Sequence, residues 1–166
     1  MAKDPHSVDA KAYNSLVGRA TLRSIRLTSS RLDLRANALE VPSQHWKRRL
    51  NENIETFVDL EASRLYGMFV FEVVCRHGRQ KMLTVSGTYL VSFSVDGHAD
   101  EVAGQLFVER VGRVAVYPYF RSLVSGLITE TGITLPPLPI ISAAPRTIKS
   151  ALDLEVKGAA KVLAGT

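Results

Sequence analysis

The side chains that could carry chemistry in this chain are four histidines, a single cysteine and a group of carboxylates. The histidines, at positions 6, 45, 77 and 98, have no metal-ligand spacing among themselves or with Cys75. A nucleophilic thiolate needs electropositive and partly exposed surroundings, whereas Cys75 lies in an apolar stretch, where a thiol behaves as a small hydrophobe. The sequence therefore predicts neither a metal site nor a cysteine nucleophile.

The carboxylates Glu55, Asp59 and Glu61 share one face of a predicted strand and come nearest to an acid and base pair. General acid–base catalysis needs a carboxyl group whose pKa is shifted by burial or by a neighbouring acid, and the sequence supplies neither. A solvated strand face is the favoured interpretation. Nucleotide-binding glycine loops and the Gly-x-Ser-x-Gly pattern are also missing from the sequence. We therefore expect a protein that is not an enzyme and needs no cofactor.

Length and composition indicate one globular domain. The chain has 166 residues, of which 46% are hydrophobic, and this is enough to bury a core without disulfides or metal. No apolar run reaches the roughly 20 residues that span a bilayer, and no secretory signal is visible at the start. A single cysteine excludes an internal disulfide. These features favour a cytoplasmic protein that has no membrane partner.

The basic charge is concentrated in the first third of the chain. Residues 1–50 hold ten Lys or Arg against four acids, whereas the other 116 residues hold eleven bases against twelve acids. This asymmetry raises the alternative of a nucleic-acid-binding protein that uses the basic N-terminal third. Scattered arginines on a strand are more typical of a solvated face, so nucleic acid is the less favoured partner.

Alternation of apolar residues predicts four strands. The first, over residues 20–36, changes its apolar face near Thr28, Ser29 and Ser30, which indicates a bulge or bend. Residues 37–53 have no clear period and suggest a long connection, and strands follow over 54–64, 66–76 and 82–95. The strand over 66–76 is apolar on both faces and is therefore predicted to be central in the sheet.

Helical periodicity replaces the strand pattern after Asp100. It continues to Thr131, with Pro118 predicted to kink the helix or divide it, and Gly132 ends it. A segment with three prolines, Leu135–Ile141, follows and is called the strap below. Weaker patterns predict a short helix over 10–19 and a C-terminal helix over 146–163. The predicted fold is α+β, a bent antiparallel sheet with a long kinked helix and a C-terminal helix. Its predicted divisions are an N-terminal extension (1–19), a core domain (20–141) and a C-terminal helix and tail (142–166).

The remaining anomalies are apolar residues without an obvious place in one core. Phe57 and Leu90 interrupt otherwise polar strand faces, the connection carries Leu39, Val41, Trp46 and Leu50, and the strap adds several more. Apolar surface that is not buried within one subunit usually contacts a partner. The sequence leaves two uses open, an oligomer interface or a groove for extended polypeptide.

These features together resemble the SecB family of export chaperones over about residues 20–140. The segment Val116-Tyr117-Pro118-Tyr119-Phe120-Arg121 is similar to the family's aromatic-Pro-Tyr-x-Arg signature, and Leu135-Pro136-Pro137-Leu138 follows after the helix as it does in the family. Trp46, eight residues before Ile54, matches the tryptophan of the family's crossover loop.

The resemblance implies an ATP-independent chaperone that binds unfolded polypeptide and needs no metal. It implies a homotetramer, built as a dimer of dimers, with Tyr117, Tyr119, Phe120, Leu123 and Leu127 of the long helix at the interface. The implied client groove consists of Val41, Trp46, Leu50, Phe57, Leu135, Leu138 and Ile140.

Some positions depart from the family pattern. The resemblance implies acidic residues on the first strand for docking the motor ATPase of the translocase, where this chain has Arg31 and Arg35, and a glutamate near Ser86. The Val-Asn-Phe-Asp motif that follows the strap in the family is replaced by Ser142-Ala143-Ala144-Pro145. These differences argue against engagement of the motor ATPase. A chaperone for one dedicated client, such as the antitoxin of a toxin–antitoxin pair, therefore stands beside a role in export.

Overall fold

The computed structural model describes residues 10–141 of the chain, and these form a four-stranded sheet with helices on one face. This agrees with the predicted α+β fold, whereas the predicted C-terminal helix lies outside the described residues. The elements are α1 (Ala10–Arg19), β1 (Ala20–Leu34), β2 (Lys47–Asp59), β3 (Arg64–His77), β4 (Gln80–Val95), α2 (Glu101–Phe107), a π-helical turn (Val108–Gly112) and α3 (Arg113–Glu130).

All neighbouring strands are antiparallel, in the order β1-β4-β3-β2. The central position predicted for β3 is confirmed, because it pairs with β2 on one side and β4 on the other. The predicted irregularity in β1 is also confirmed, since the register with β4 skips Thr28. A second register shift skips Arg23. The sequence did not indicate this shift, because the residues around Arg23 show no regular alternation of apolar and polar side chains.

The second strand begins earlier than predicted. Residues 47–53 are the first half of β2 and not part of a loop, so the crossover loop between β1 and β2 is limited to residues 35–46. The positions of β2 that face the helices are even-numbered, and two of them carry the charged residues Arg48 and Glu52. These charges interrupt the apolar alternation, which is why this part of the strand resembled an irregular connection.

The sheet has a helix face and an outer face. Odd-numbered residues of β3 and β4 point at the helices, where Phe71 stacks on Phe120 at a centroid distance of 5.2 Å and Phe93 meets Phe107 at 5.1 Å. Phe57 and Leu90, the two residues that broke the alternation, lie on the outer face with exposed fractions of 64% and 41%. The outer face of the sheet is thus not part of the main hydrophobic core, which lies between the sheet and the helices.

The long helical segment is irregular at the π turn and not at Pro118, where the kink was predicted. Helix α3 continues through Pro118, whose side chain is exposed on the side away from the sheet. The π turn ends at Gly112, where the helix comes so close to the sheet that a Cβ atom would lie 2.6 Å from Phe69 Cζ. Close packing on the sheet therefore coincides with the irregular turn.

Helix α1 is attached to the core and is not a separate extension. Leu16 is only 1% exposed, and the guanidinium group of Arg19 donates hydrogen bonds to the carbonyl oxygens of Asp96 and His98. The short helix predicted over 10–19 is confirmed, whereas the division at residue 19 separates residues that the structure packs together.

Replacing Gly112 by alanine tests the close approach of helix and sheet. We expect Gly112→Ala to destabilise the fold by about 1 to 3 kcal/mol, since the new methyl group would overlap the Phe69 ring. Gly126→Ala in α3 is the matched control, because nothing lies within 4 Å of its Cβ position. There we expect a gain of up to about 1 kcal/mol from helix propensity. Urea unfolding of both variants measures the difference, and equal effects would contradict the packing argument.

Candidate functional site

The strap returns along α3 after the helix ends. Gly132 has a φ of 72°, a left-handed conformation that favours glycine, and it turns the chain at the end of the helix. The strap then runs antiparallel to α3, so that Leu135 lies beside the second half of the helix and Ile140 lies beside Tyr117 and Pro118. The strap therefore covers one side of the helix and forms a wall there.

Side chains from three elements hold the strap by its carbonyl oxygens. Ser43 of the crossover loop donates to the Thr134 carbonyl, just before the strap, at 2.6 Å, and the Tyr117 hydroxyl of α3 donates to the Pro139 carbonyl at 2.8 Å. The guanidinium group of Arg48 on β2 donates to the carbonyls of Pro136 and Pro137. We call Ser43, Arg48 and Tyr117 the strap donors. Burial raises the pKa of the Tyr117 phenol, so that its hydroxyl keeps its proton and donates at neutral pH.

Three hollows surround the strap. One of about 360 Å³ lies between the second half of α3 and the strap and is lined in part by Leu135 and Leu138. Another of about 390 Å³ lies between the first half of α3 and Ile140. A third of about 210 Å³ lies between the crossover loop and the start of the strap, with Val41 and Trp46 in its wall. Concave sites of this kind can accept apolar side chains of a bound chain.

Five of the seven residues predicted for the client groove line these hollows. They are Val41, Trp46, Leu135, Leu138 and Ile140. Leu50 is half-buried on the helix face and packs against the core instead. The structure does not bring Phe57 to the site, since it lies on the outer face about 35 Å along β2 from Trp46 at the usual rise of a strand.

The crossover loop contributes a wall residue that the sequence prediction omitted. Leu39 is 67% exposed and lines the same hollow as Trp46. Among the described residues, two buried polar side-chain atoms lack a hydrogen-bond partner, Asn37 Oδ1 and Trp46 Nε1, and both belong to this loop. A buried polar atom without a hydrogen-bond partner lowers the stability by about 1 to 3 kcal/mol. The crossover loop is therefore the part of the site whose hydrogen bonding is least complete.

A half-buried ion pair fixes the start of α3 on β2. Arg113 Nε lies 2.8 Å from Glu52 Oε2, with side-chain exposures of 12% and 18%. The pair and the strap donor Arg48 both project from the helix face of β2. The two charges that obscured the strand pattern therefore position α3 and the strap.

The helix residues predicted for an oligomer interface divide between two environments. Tyr117 and Phe120 are 3% and 0% exposed, and their rings contact Phe71 inside the helix–sheet core. They offer almost no surface to another subunit, which corrects the prediction for these two residues. Tyr119 is 55% exposed, and Leu123 and Leu127 are half-buried, so these three retain surface for a partner.

The described residues contain no cluster of three or more His, Cys, Asp or Glu side chains that could bind a metal ion. Cys75 is fully buried, and desolvation raises the pKa of its thiol, which disfavours the reactive thiolate. The apolar hollows are therefore the main candidate site.

Known proteins are similar to this chain in sequence and in fold. The chain is 26% identical over 141 residues to the SecB-like chaperone SmegB of Mycolicibacterium smegmatis, covering 82% of this chain and 93% of SmegB. Its fold is similar to that of the Mycobacterium tuberculosis Rv1957 SecB-like chaperone, solved in complex with a ChAD peptide from the Rv1956 HigA1 antitoxin. That comparison has a TM-score of 0.70 and 20% identity, and covers 82% of this chain and 99% of the other. No family model matches the chain.

The chain is thus similar in sequence and in fold to SecB-like chaperones. The resemblance stated from the Tyr-Pro-Tyr helix, the strap and Trp46 is thereby confirmed. SecB-like chaperones are non-enzymatic, in agreement with the sequence prediction. In the part of the chain that the structure describes, no helix has the length and apolar character needed to cross a membrane.

Removing one partner of the half-buried ion pair should destabilise the protein. We expect Glu52→Leu to cost about 2 to 3 kcal/mol, because Arg113 keeps a charge that is largely removed from water. Glu52→Leu combined with Arg113→Leu should recover much of that loss. The control is Asp33→Ala, which breaks the exposed Arg31–Asp33 pair and should cost less than about 1 kcal/mol. Urea unfolding measures all three variants, and similar losses for Glu52→Leu and Asp33→Ala would contradict the expectation.

Tyr117→Phe tests how the strap is held. It removes one strap donor while leaving the ring in the core, so we expect faster amide hydrogen exchange at Leu138 and Ile140 with little change in the sheet. Tyr119→Phe is the matched control on the same helix, since Tyr119 is exposed. Equal exchange in the two variants would show that the Tyr117 hydroxyl does not fix the strap.

Proposed function

We propose that this SecB-like chaperone holds an extended apolar segment of a non-native polypeptide in the hollows around the strap, without using ATP. The observation that carries the proposal is the set of hollows, with apolar side chains in their walls, on both sides of a strap that side chains hold in place. An unfolded client has no fixed shape for the site to recognise. Recognition therefore depends on apolar side chains spaced along an extended, polar backbone.

The energetics suit a protein that holds clients and does not process them. Burying one large apolar side chain contributes about 1.5 to 3 kcal/mol, and ordering the client chain opposes this. One hollow alone would bind weakly, whereas several hollows filled by one chain add their effects through a high effective concentration. No bound nucleotide is needed for binding of this kind.

We further propose a dedicated client with an antitoxin-like segment in preference to general export. The Rv1957 protein binds an antitoxin peptide, and the fold of this chain is similar to it. In addition, Arg31 and Arg35 are exposed on and just after β1, where the SecB resemblance implies acidic residues for docking the motor ATPase. A positive surface is a poor match for a partner that expects an acidic one.

We also propose a homotetramer that uses the exposed side of α3. Tyr119 and the half-buried Leu123 and Leu127 give that side apolar surface that the described residues leave uncovered. Assembly would place several strap sites on one particle and raise its avidity for one long client.

Charged residues in the hollows should abolish client holding. We expect Leu39→Asp with Ile140→Asp to lose most protection of a chemically unfolded protein against aggregation, because both side chains are exposed and line hollows. Phe57→Asp is the control, since Phe57 is equally exposed but distant from the site. Light scattering during dilution from denaturant measures protection. Equal protection by the double variant and the wild type would overturn the groove proposal.

Tyr119→Asp tests the assembly. We expect native mass spectrometry to give four chain masses for the wild type and smaller species for the variant, because a buried unpaired carboxylate destabilises an interface. Ser122→Asp, an exposed polar position on the same helix, distinguishes loss of apolar contact from added charge. A wild type that is monomeric with and without an unfolded client would contradict the tetramer.

A further inference from the structure

One end of the sheet carries cations at directly paired positions on adjacent strands. Lys47 of β2 lies opposite Arg76 of β3, and Arg76 lies opposite Lys81 of β4. Arg35 follows the last residue of β1 and donates its backbone N–H to the carbonyl of Met82, which places it beside the same end. We call Arg35, Lys47, Arg76 and Lys81 the cation row.

The cation row is exposed and has a cost in stability. All four residues are exposed, and paired residues on antiparallel strands project on the same face. Like charges at directly opposite positions repel and destabilise a sheet. Arg49, also exposed, lies two residues further along β2 on the same face. The sequence concealed this cluster, since residues 76 and 81 lie outside the basic first third.

Within residues 10–141, no carboxylate forms an ion pair with a member of the cation row. The ion pairs within residues 10–141 are Arg31–Asp33 and Arg113–Glu52, and neither includes a member of the row. Glu72, on β3 near the row, already accepts a hydrogen bond from Asn51 at 2.9 Å. Acidic residues instead gather around the other end of the sheet, in the β2–β3 turn and after β4. They are Asp59, Glu61, Asp96, Asp100 and Glu101.

The cation row adjoins the apolar site. Arg35 and Lys47 stand at the two ends of the crossover loop, and Lys47 directly follows Trp46, a wall of the loop hollow. The four strands span about 14 Å at the usual strand spacing, a distance that four or five extended residues cover. The row lies on the outer face and the hollow on the helix face, so a chain seated in the loop hollow would reach the row by passing round this end of the sheet.

We propose that the cation row binds a short run of acidic side chains in the client, next to the apolar residues that enter the hollows. This rests on the proposed client-holding function and adds a charge requirement to it. A polypeptide fits better than a nucleic acid, because sites for single-stranded nucleic acids combine cations with exposed aromatic rings on which the bases stack. The tryptophan beside the row, Trp46, is only 9% exposed.

Two fluorescein-labelled peptides test the proposal by anisotropy. Both share a core of alternating leucine and serine, and the core is flanked on each side by four glutamates in one peptide and by four glutamines in the other. We expect wild type to prefer the glutamate peptide by on the order of tenfold at low salt, since exposed ion pairs contribute modestly and several act together. At about 500 mM NaCl screening should remove most of the preference.

Charge-neutral variants locate the effect. Lys47→Gln, Arg76→Gln and Lys81→Gln together should abolish the preference for glutamate while leaving the glutamine peptide bound as before. Arg23→Gln, Arg26→Gln and Arg64→Gln together are the matched control, since these three cations are exposed on the same sheet outside the row. The row variant should melt at or above the wild-type temperature because repulsion is relieved, which excludes unfolding as the cause.

Each outcome has a distinct meaning. A wild type without preference for glutamate, or a row variant that keeps the preference, overturns the cation-row proposal and leaves the groove intact if the glutamine peptide still binds. Failure of the glutamine peptide to bind wild type, with the glutamate peptide bound, overturns the groove proposal instead. Tighter binding of a single-stranded DNA of about 20 nucleotides than of the glutamate peptide would identify the row as a nucleic-acid site and overturn the peptide assignment.

Discussion

The strap depends on hydrogen-bond donors from outside itself, and the rest of the site follows from this constraint. Three of its seven residues are prolines, which have no backbone N–H and cannot join a sheet as an inner strand. Its carbonyl oxygens still need partners where water is excluded. Arg48 and Tyr117 supply them from a strand and a helix, and Ser43 of the crossover loop holds Thr134 just before the strap, so the strap stands beside α3 as a separate wall with hollows around it.

The polar residues that position the site also weaken its sequence signal. Arg48 and Glu52 occupy positions of β2 that face the helices, where an ordinary strand would carry apolar residues. One holds the strap and the other holds α3 through Arg113. Strand β2 thus departs from simple apolar alternation at Arg48 and Glu52, the two positions through which it anchors the strap and α3.

Much of the fold could be read from the sequence, and the failures have physical reasons. The central strand and the bulge at Thr28 were predictable, because apolar alternation reports them directly, and the resemblance named most of the residues that line the hollows. Phe57 was misplaced because exposure alone does not say which face of a sheet a residue occupies. Tyr117 was assigned to an interface, although its ring belongs to the core and its hydroxyl to the strap. The cation row required knowledge of strand pairing.

The π turn between α2 and α3 sets the phase of the whole helical layer. From Gly104 to Ile128, a buried residue recurs at every fourth position, through Val108, Gly112, Val116, Phe120 and Val124. An ideal α-helix turns about 100° per residue, so steps of four residues would rotate the buried face by about 40° each time. The π turn is wider than an α-helical turn, so each of its residues rotates the chain by a smaller angle. It thereby reduces the rotation of the buried face along the helical segment. Helices α2 and α3 are in this way kept in step with one sheet, and the strap follows α3 on the side where its donors lie.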